Sequence, residues 1–347
     1  MKLKKKSLMA NPSIAFITAH RLGDALSHTP TIRYLKQVFP NTDISIITTS
    51  PEAATVFEGN PNISQIYNTS RGISKELSGR RFDLSISSCK KKDAISIFQS
   101  TCGPQLILSG ITQDRVKGQS KEQHKPIHVA VRSVEKLRQL FPNTPEFNDY
   151  RYELPFTDRD KQNVDDKLQK WGIVTQPLIS LHLGCRSIRK RFGFGKKELA
   201  HEKAWRLGHA TRFCQLLAEH HPEVRCLATG TQGEGTYTRQ LANTCPNVID
   251  AVDMFSIKEA AALMHHLKAC IVPDTGMLHI ASTTPVHIVG LYAVTDPAIT
   301  GPYPGRTAHT AIQRDSIDAI TGDMVFDAVH SALTTADAPV THAPSAT

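Results

Sequence analysis

Short apolar runs alternate along the chain with longer stretches in which apolar residues recur every third or fourth position, the pattern of buried strands between amphipathic helices. The runs Ile14–Thr18, Ile44–Thr48, Ile63–Tyr67, Phe82–Ile86 and Gln105–Leu108 predict a first set of strands. Helices are predicted where Ile32, Leu35 and Val38 share a face, over Glu52–Phe57, and over Pro126–Leu140, where Val129, Val131, Val134, Leu137 and Leu140 keep helical spacing. Pro142, Pro145 and Pro155 break the pattern, and a helix Asp158–Trp171 is predicted to link to a second set. That set reads as strand Leu178–His182, a polar basic loop Arg186–Glu202, helix Lys203–His220, strand Val224–Ala228, helix Thr236–Asn243 and a short strand Val248–Ile249. Ser256-Ile257-Lys258-Glu259 is a capping box, and Ile257, Ala260, Ala261, Met264 and Leu267 form one apolar stripe assigned to the core. A strand Ala269–Val272, a turn at Asp274, a helix Gly276–Ser282, a strand Val286–Tyr292 and a last helix Gly322–Leu333 complete the chain before an Ala/Thr/Pro/Ser tail expected to be disordered.

Strands alternating with helices imply a mainly parallel sheet, and two such sets imply an α/β protein of two Rossmann-like doubly wound domains facing across a cleft. The expected division is a basic N-terminal extension at 1–12, a first Rossmann-like domain at 13–155, a linker helix at 156–176, a second Rossmann-like domain at 177–315, a C-terminal helix at 316–334 and a tail at 335–347. No internal sequence repeat is apparent.

With 347 residues and 40% hydrophobic content the chain can bury a sizeable core. No apolar run approaches the roughly 20 residues that span a bilayer, and the basic start, Lys2 to Lys6, is not followed by an apolar signal region, so a cytoplasmic protein is expected. Seven scattered cysteines without a C-x-x-C pair fit a reducing compartment and argue against zinc or disulfides. The net charge of +9 admits nucleic acid, an anionic membrane face or a phosphorylated substrate as partner; with only 6% aromatic residues and no basic helix interleaved with them, nucleic acid is the weakest of the three.

The chemistry concentrates at two turns. After the first strand comes Gly23-Asp24, without the G-x-G-x-x-G of dinucleotide binding; Asp24 stands at the carboxyl end of a strand, where such folds place functional groups, and equally suits the positive end of the following helix. Asp274-Thr275-Gly276-Met277-Leu278-His279 puts Thr275 and Gly276 at a helix start, where unpaired N–H groups favour an anion such as a diphosphate, with Asp274 and His279 flanking. The plainer reading of the same residues is a helix cap and a packed histidine.

Gly23-Asp24, Asp274-Thr275-Gly276-Met277-Leu278-His279 and Tyr292 to Pro297, ending in Thr295-Asp296-Pro297, together resemble the bacterial lipopolysaccharide heptosyltransferases, which are GT-B glycosyltransferases of family 9. The likeness runs from about Ser13 to about Leu333 and implies inverting, metal-independent transfer of heptose from ADP-heptose to a lipid A–Kdo or inner-core acceptor, with no cofactor beyond the donor. It implies Asp24 as the general base and Lys203, in Lys203-Ala204-Trp205, as the cation that neutralises the leaving diphosphate. Glu234 would hold the donor's ribose, Phe255 would touch its adenine, Asp274 its sugar hydroxyls, Thr275 and Gly276 its diphosphate, and His279 a phosphate oxygen. The basic residues Lys90, Lys91, Lys92, Arg115, Lys117 and Lys121 are candidate contacts to an anionic glycolipid acceptor, and the basic face could touch the inner membrane. The sequence departs from the family at His182-Leu183-Gly184-Cys185-Arg186 and at Ala293-Val294-Thr295, and the basic loop before Lys203 is longer. Two other readings stand beside this one: a nucleotide-sugar epimerase on the same scaffold, and a non-catalytic binder of anionic glycolipid or nucleic acid.

Overall fold

The computed structural model describes residues 11–18, 21–70, 75–88, 105–107, 126–141, 144, 146–184, 202–233 and 235–335. The chain divides into two compact units, one holding residues up to Asp158 together with Ala298–Arg306, the other Arg159–Pro297 and everything from Thr307 on. The Asp158–Lys170 helix therefore opens the second unit, and the short stretch Ala298–Arg306 returns to the first.

In the first unit, β1 (Ile14–Ile17), β2 (Ile44–Thr48), β3 (Gln65–Asn68), β4 (Leu84–Ser87) and β5 (Gln105–Ile107) form one parallel sheet in the order β3-β2-β1-β4-β5. Every residue of β1 and β2 is buried, as expected of central parallel strands covered on both faces. Ile14 pairs with Ile44 on one side and Leu84 on the other. The chain runs outward from β1 through β2 to β3 and then returns to β4, so the strand order reverses between β1 and β4. The helix Leu22–Ser27 follows β1 directly, and Pro51 starts the helix Pro51–Phe57 behind the Ser50 cap, whose Oγ accepts from the Ala53 N–H at 3.3 Å. The helix Val129–Leu140 begins later than its periodicity suggests because His128 caps it, Nδ1 accepting from the Ala130 N–H at 3.2 Å. Its buried stripe is Ala130, Ser133, Val134 and Leu137. The His128 Nε2 lies 3.0 Å from the Gly301 carbonyl, and Tyr303 meets Tyr152 edge-on with ring centres 5.8 Å apart, which holds Ala298–Arg306 on the first unit.

The second unit carries β6 (Leu178–His182), β7 (Arg225–Thr229), β8 (Val248–Asp250), β9 (Leu267–Pro273), β10 (His287–Tyr292) and β11 (His309–Gln313), again all parallel, in the order β11-β10-β9-β6-β7-β8. Here the order reverses between β6 and β9. The stripe assigned to one helix is cut short: the helix ends at Leu263, a single 3-10 turn covers Met264–His266, and Leu267 already belongs to β9, paired with Leu178. The capping box is present in full, and its Glu259 also accepts from Lys167 Nζ at 2.8 Å and Asn163 Nδ2 at 2.9 Å, which fastens the Asp158–Lys170 helix to the Ile257–Leu263 helix.

The second core gathers Ile179, Leu181, Trp205, Phe213, Leu217, Leu241, Ile271 and Val289. It also brings together Cys214, Cys226 and Cys245, whose positions in sequence gave no hint of contact. Hydrogen bonding from Cys226 and Cys245, with burial behind it, pushes the Cys214 thiol well above its ordinary value. The helix Leu207–His220 packs on the last helix, Gly322–Thr335, and at their crossing there is no room for a side chain on Gly322: a Cβ there would lie 2.5 Å from the His209 carbonyl oxygen and 2.8 Å from the Phe213 nitrogen. Both neighbours are backbone and cannot rotate away, so Gly322→Ala is expected to lower unfolding free energy by about 1–3 kcal/mol, the usual range for overpacking. Urea denaturation of the two proteins checks this.

Candidate active site

In open parallel sheets the ligand crevice forms at the carboxyl ends of the strands where the strand order reverses. In the second unit that point lies between β6 and β9, and the residues that follow these two strands meet there. Asp274 comes directly after β9, and the residues after β6 run Leu183-Gly184. The Trp205 N–H donates to the Leu183 carbonyl at 2.9 Å, and its indole Nε1 donates to the Ile320 carbonyl at 2.8 Å, with the ring fully buried. This anchor keeps Lys203-Ala204-Trp205 out of the following helix, which starts at Leu207 and not at Lys203 as the sequence pattern suggested.

Two residues ahead of the anchor, Lys203 Nζ donates to Asp274 Oδ2 at 2.8 Å and to the Asp274 carbonyl oxygen at 3.0 Å. The Asp274 side chain is 6% exposed and that of Lys203 27%. Burial by itself would raise the carboxyl's pKa; the hydrogen bond and charge of Lys203, helped by Thr295 and His279, more than offset it, so Asp274 is held below the ordinary carboxylate range. His279, buried on the Gly276–Ala281 helix, has Nε2 4.0 Å from Asp274 Oδ1. Thr275 is the residue before that helix, in extended conformation, and its side chain does not cap it. Among the described residues the buried Thr275 Oγ1 has no hydrogen-bond partner, while the first backbone N–H groups of any helix lack partners within it. The group as a whole offers an ammonium, a buried carboxylate, an imidazole and the backbone N–H groups of a helix start, a set suited to an anionic, polyhydroxylated ligand.

Lys203, Asp274, Thr275, Gly276 and His279 are thus brought together at one sheet edge. Thr295, beside Asp274, belongs with them although the sequence reading gave it no role; its place in Thr295-Asp296-Pro297 just after β10 was the available signal. Phe255 lies elsewhere in the same unit, at the start of the Ile257–Leu263 helix, edge-on to Trp171 at 6.0 Å and with Lys167 Nζ 5.1 Å from its ring centre. Asp24 is exposed in the first turn of the Leu22–Ser27 helix, the next element after β1 in the first unit, again at a strand-order reversal. Glu234 and the basic residues Lys90, Lys91, Lys92, Arg115, Lys117 and Lys121 lie outside the described residues, as does the loop from Arg186 to His201. Among the described residues no helix is long and apolar enough to cross a membrane.

Two doubly wound parallel sheets in one chain, each with polar groups at the end of its reversal strands, are the architecture of the GT-B glycosyltransferases. Residues 72–318 match the model of glycosyltransferase family 9 (heptosyltransferase), and the chain belongs to that family. It is similar in fold to a family 9 glycosyltransferase from Veillonella parvula DSM 2008, with a TM-score of 0.75 at 15% identity over 95% of this chain and 99% of that one. The E. coli ADP-heptose LPS heptosyltransferase II gives a TM-score of 0.72 at 16% identity, over 94% of this chain and 100% of that one. E. coli heptosyltransferase WaaC, solved with ADP, gives 0.64 at 16% identity over 92% and 99%. No curated protein sequence matches the chain. The protein is a glycosyltransferase, and neither the epimerase nor the non-catalytic reading is favoured.

The depressed pKa of Asp274 has a defined signature. A carboxyl whose pKa is lower folded than unfolded adds stability above its unfolded value, about 4, and loses it as pH falls through the folded value. Lys203→Met should cost roughly 1–3 kcal/mol at pH 7, because it strands a buried carboxylate. The gap between the wild type and this variant should close as the pH falls below about 4. Urea unfolding at pH 7 and in steps down to pH 3 reads both effects.

Proposed function

We propose that the protein is an inverting glycosyltransferase that moves heptose from ADP-heptose to an anionic inner-core acceptor of lipopolysaccharide, Kdo or heptose, without a metal. The observation that carries the reading is the contact between Lys203 and Asp274 at the sheet's reversal point in a chain of the heptosyltransferase family. Among the similar structures, WaaC is solved with ADP and with ADP-2-deoxy-2-fluoro heptose, which supports an ADP-sugar as donor here.

In this mechanism the Asp24 carboxylate accepts the proton of the acceptor hydroxyl as its oxygen attacks the anomeric carbon. The bond from that carbon to the diphosphate oxygen breaks on the opposite face, so the configuration inverts and ADP leaves. The leaving group gains charge as the bond breaks, and the Lys203 ammonium answers it; the Asp274 contact keeps that ammonium in place before the donor arrives, so little reorganisation is needed. Backbone N–H groups at Thr275 and Gly276 take diphosphate oxygens, His279 takes another, and the buried Asp274 carboxylate accepts from sugar hydroxyls. Glu234 serves the ribose and Phe255 the adenine. The basic residues from Lys90 to Lys92 and from Arg115 to Lys121 meet the acceptor's phosphates and carboxylates, and the enzyme works in the cytoplasm, touching the anionic inner face of the membrane through them.

Asp24→Asn removes the base while leaving the donor unit intact. Turnover of ADP-heptose with a Kdo- or heptose-terminated acceptor should fall by about a hundred- to ten-thousand-fold, while ADP affinity measured by calorimetry stays within a factor of about two. Full activity in the variant would remove Asp24 from the mechanism.

A further inference from the structure

The second unit has a cavity of about 480 Å³ at the carboxyl ends of β7 and β8, lined by Gln232, Gly235, Arg239, Asp250, Val252 and Asp253. That volume falls within the range of small-ligand sites. The strands of this sheet are all parallel, so the cavity opens at the same edge of the sheet as Asp274.

Its polar groups differ in how far they are committed. Asp250 Oδ1 accepts from the Val252 N–H at 3.3 Å and so is engaged in its own turn. Arg239 Nε donates to the Gly235 carbonyl at 2.9 Å. Asp253 is an exposed acceptor whose carboxylate makes no hydrogen bond or ion pair among the described residues. Its backbone is held at φ 55°, in the left-handed region, with its N–H donating to the Gly230 carbonyl at 3.0 Å. Asp tolerates that conformation better than most residues but still at some cost, and a non-glycine kept there beside a cavity points to a use for the side chain. The next residue, Met254, leaves a large apolar side chain 39% exposed, a surface that suits the face of a flat ring.

An acceptor-only group with no internal partner, next to an exposed thioether, fits the amino edge of an aminated base. We propose that Asp253 is the residue that reads the donor's base, accepting a hydrogen bond from the exocyclic amine of adenine and repelling bases that carry a carbonyl at that position. This rests on the ADP-sugar reading above and adds to it a determinant of nucleotide choice. A carbonyl in place of the amine would set two acceptors against each other, which is the kind of mismatch that discriminates strongly between otherwise equal ligands.

The test compares binding of ADP, IDP and 2′-deoxy-ADP to the full chain and to Asp253→Asn by calorimetry. IDP differs from ADP at the base by a carbonyl in place of that amine and by the proton this puts on N1. Asparagine is at home in the left-handed region, so the variant keeps the backbone, and a matching thermal melt verifies it. The wild type should bind ADP at least about tenfold more tightly than IDP, and Asp253→Asn, which can donate as well as accept, should bring the ratio close to one. An unchanged ratio in the variant with ADP still bound overturns the assignment. So does a loss of ADP affinity in the variant that disappears with 2′-deoxy-ADP, which would put the carboxylate on the ribose. If the wild type binds none of the three nucleotides, the ADP-donor reading itself fails, a result distinct from the other two.

Discussion

A carboxylate taken out of water must be answered by a positive charge or it will not stay ionised, and that requirement organises the second unit around Asp274. Its partner cannot come from its own strand, since β9 is apolar from Ala269 to Pro273. It comes instead from 71 residues earlier, on a stretch held by one side chain: Trp205 fills the core and ties its indole to Ile320, its backbone to Leu183, and in doing so sets Lys203 over Asp274. The pair is costly to bury and would be poor economy as a stability device, because an apolar pair of the same shape would do as well. A buried charge pair at a strand end, with an imidazole 4.0 Å away and an unpartnered threonine hydroxyl alongside, has the character of a ligand-handling group.

The sheets explain why chemistry collects at these turns. A parallel sheet fed from its middle outward, first to one side and then to the other, leaves a gap between the loops of two neighbouring strands, and only there can a ligand approach the backbone ends of both. β1 and β4 make such a gap in the first unit, β6 and β9 in the second. Asp274 directly follows β9 and Asp24 lies in the first turn of the helix after β1, so each acid stands beyond the carboxyl end of one strand of its pair.

The central strands were legible because a strand covered on both faces is mostly apolar, as β1, β2, β6 and the heart of β9 are, with only Ser45, Thr48, Ser180 and His182 as polar residues buried among them. β11 was missed because it lies at the sheet's edge and buries only Ile312 well, so His309-Thr310-Ala311-Ile312-Gln313 carries almost no period. The start of the helix after Lys203 was misplaced because Lys203-Ala204-Trp205 is compatible with a helix locally; what bends it away is a carbonyl 115 residues downstream of Trp205. Leu267 continued a helical stripe on paper, yet it pairs with Leu178 as the first residue of a strand. In the candidate site, Asp274, Thr275, Gly276 and His279 stood together in one motif and could be read as a unit, whereas their contact with Lys203 is a product of tertiary structure. Asp253 carried no motif at all: its cavity is assembled from two strand ends and a helix, and its left-handed backbone is invisible in the sequence.

The chain contains only two indoles, and both stand next to residues with assigned work. Trp205 lies two positions from Lys203 in a dry core, and Trp171 meets the Phe255 ring edge-on at 6.0 Å. The protein thus carries its own optical probe: ultraviolet emission from this pair, one silent to solvent and one at the proposed adenine side, would follow donor arrival and departure in real time with no label attached.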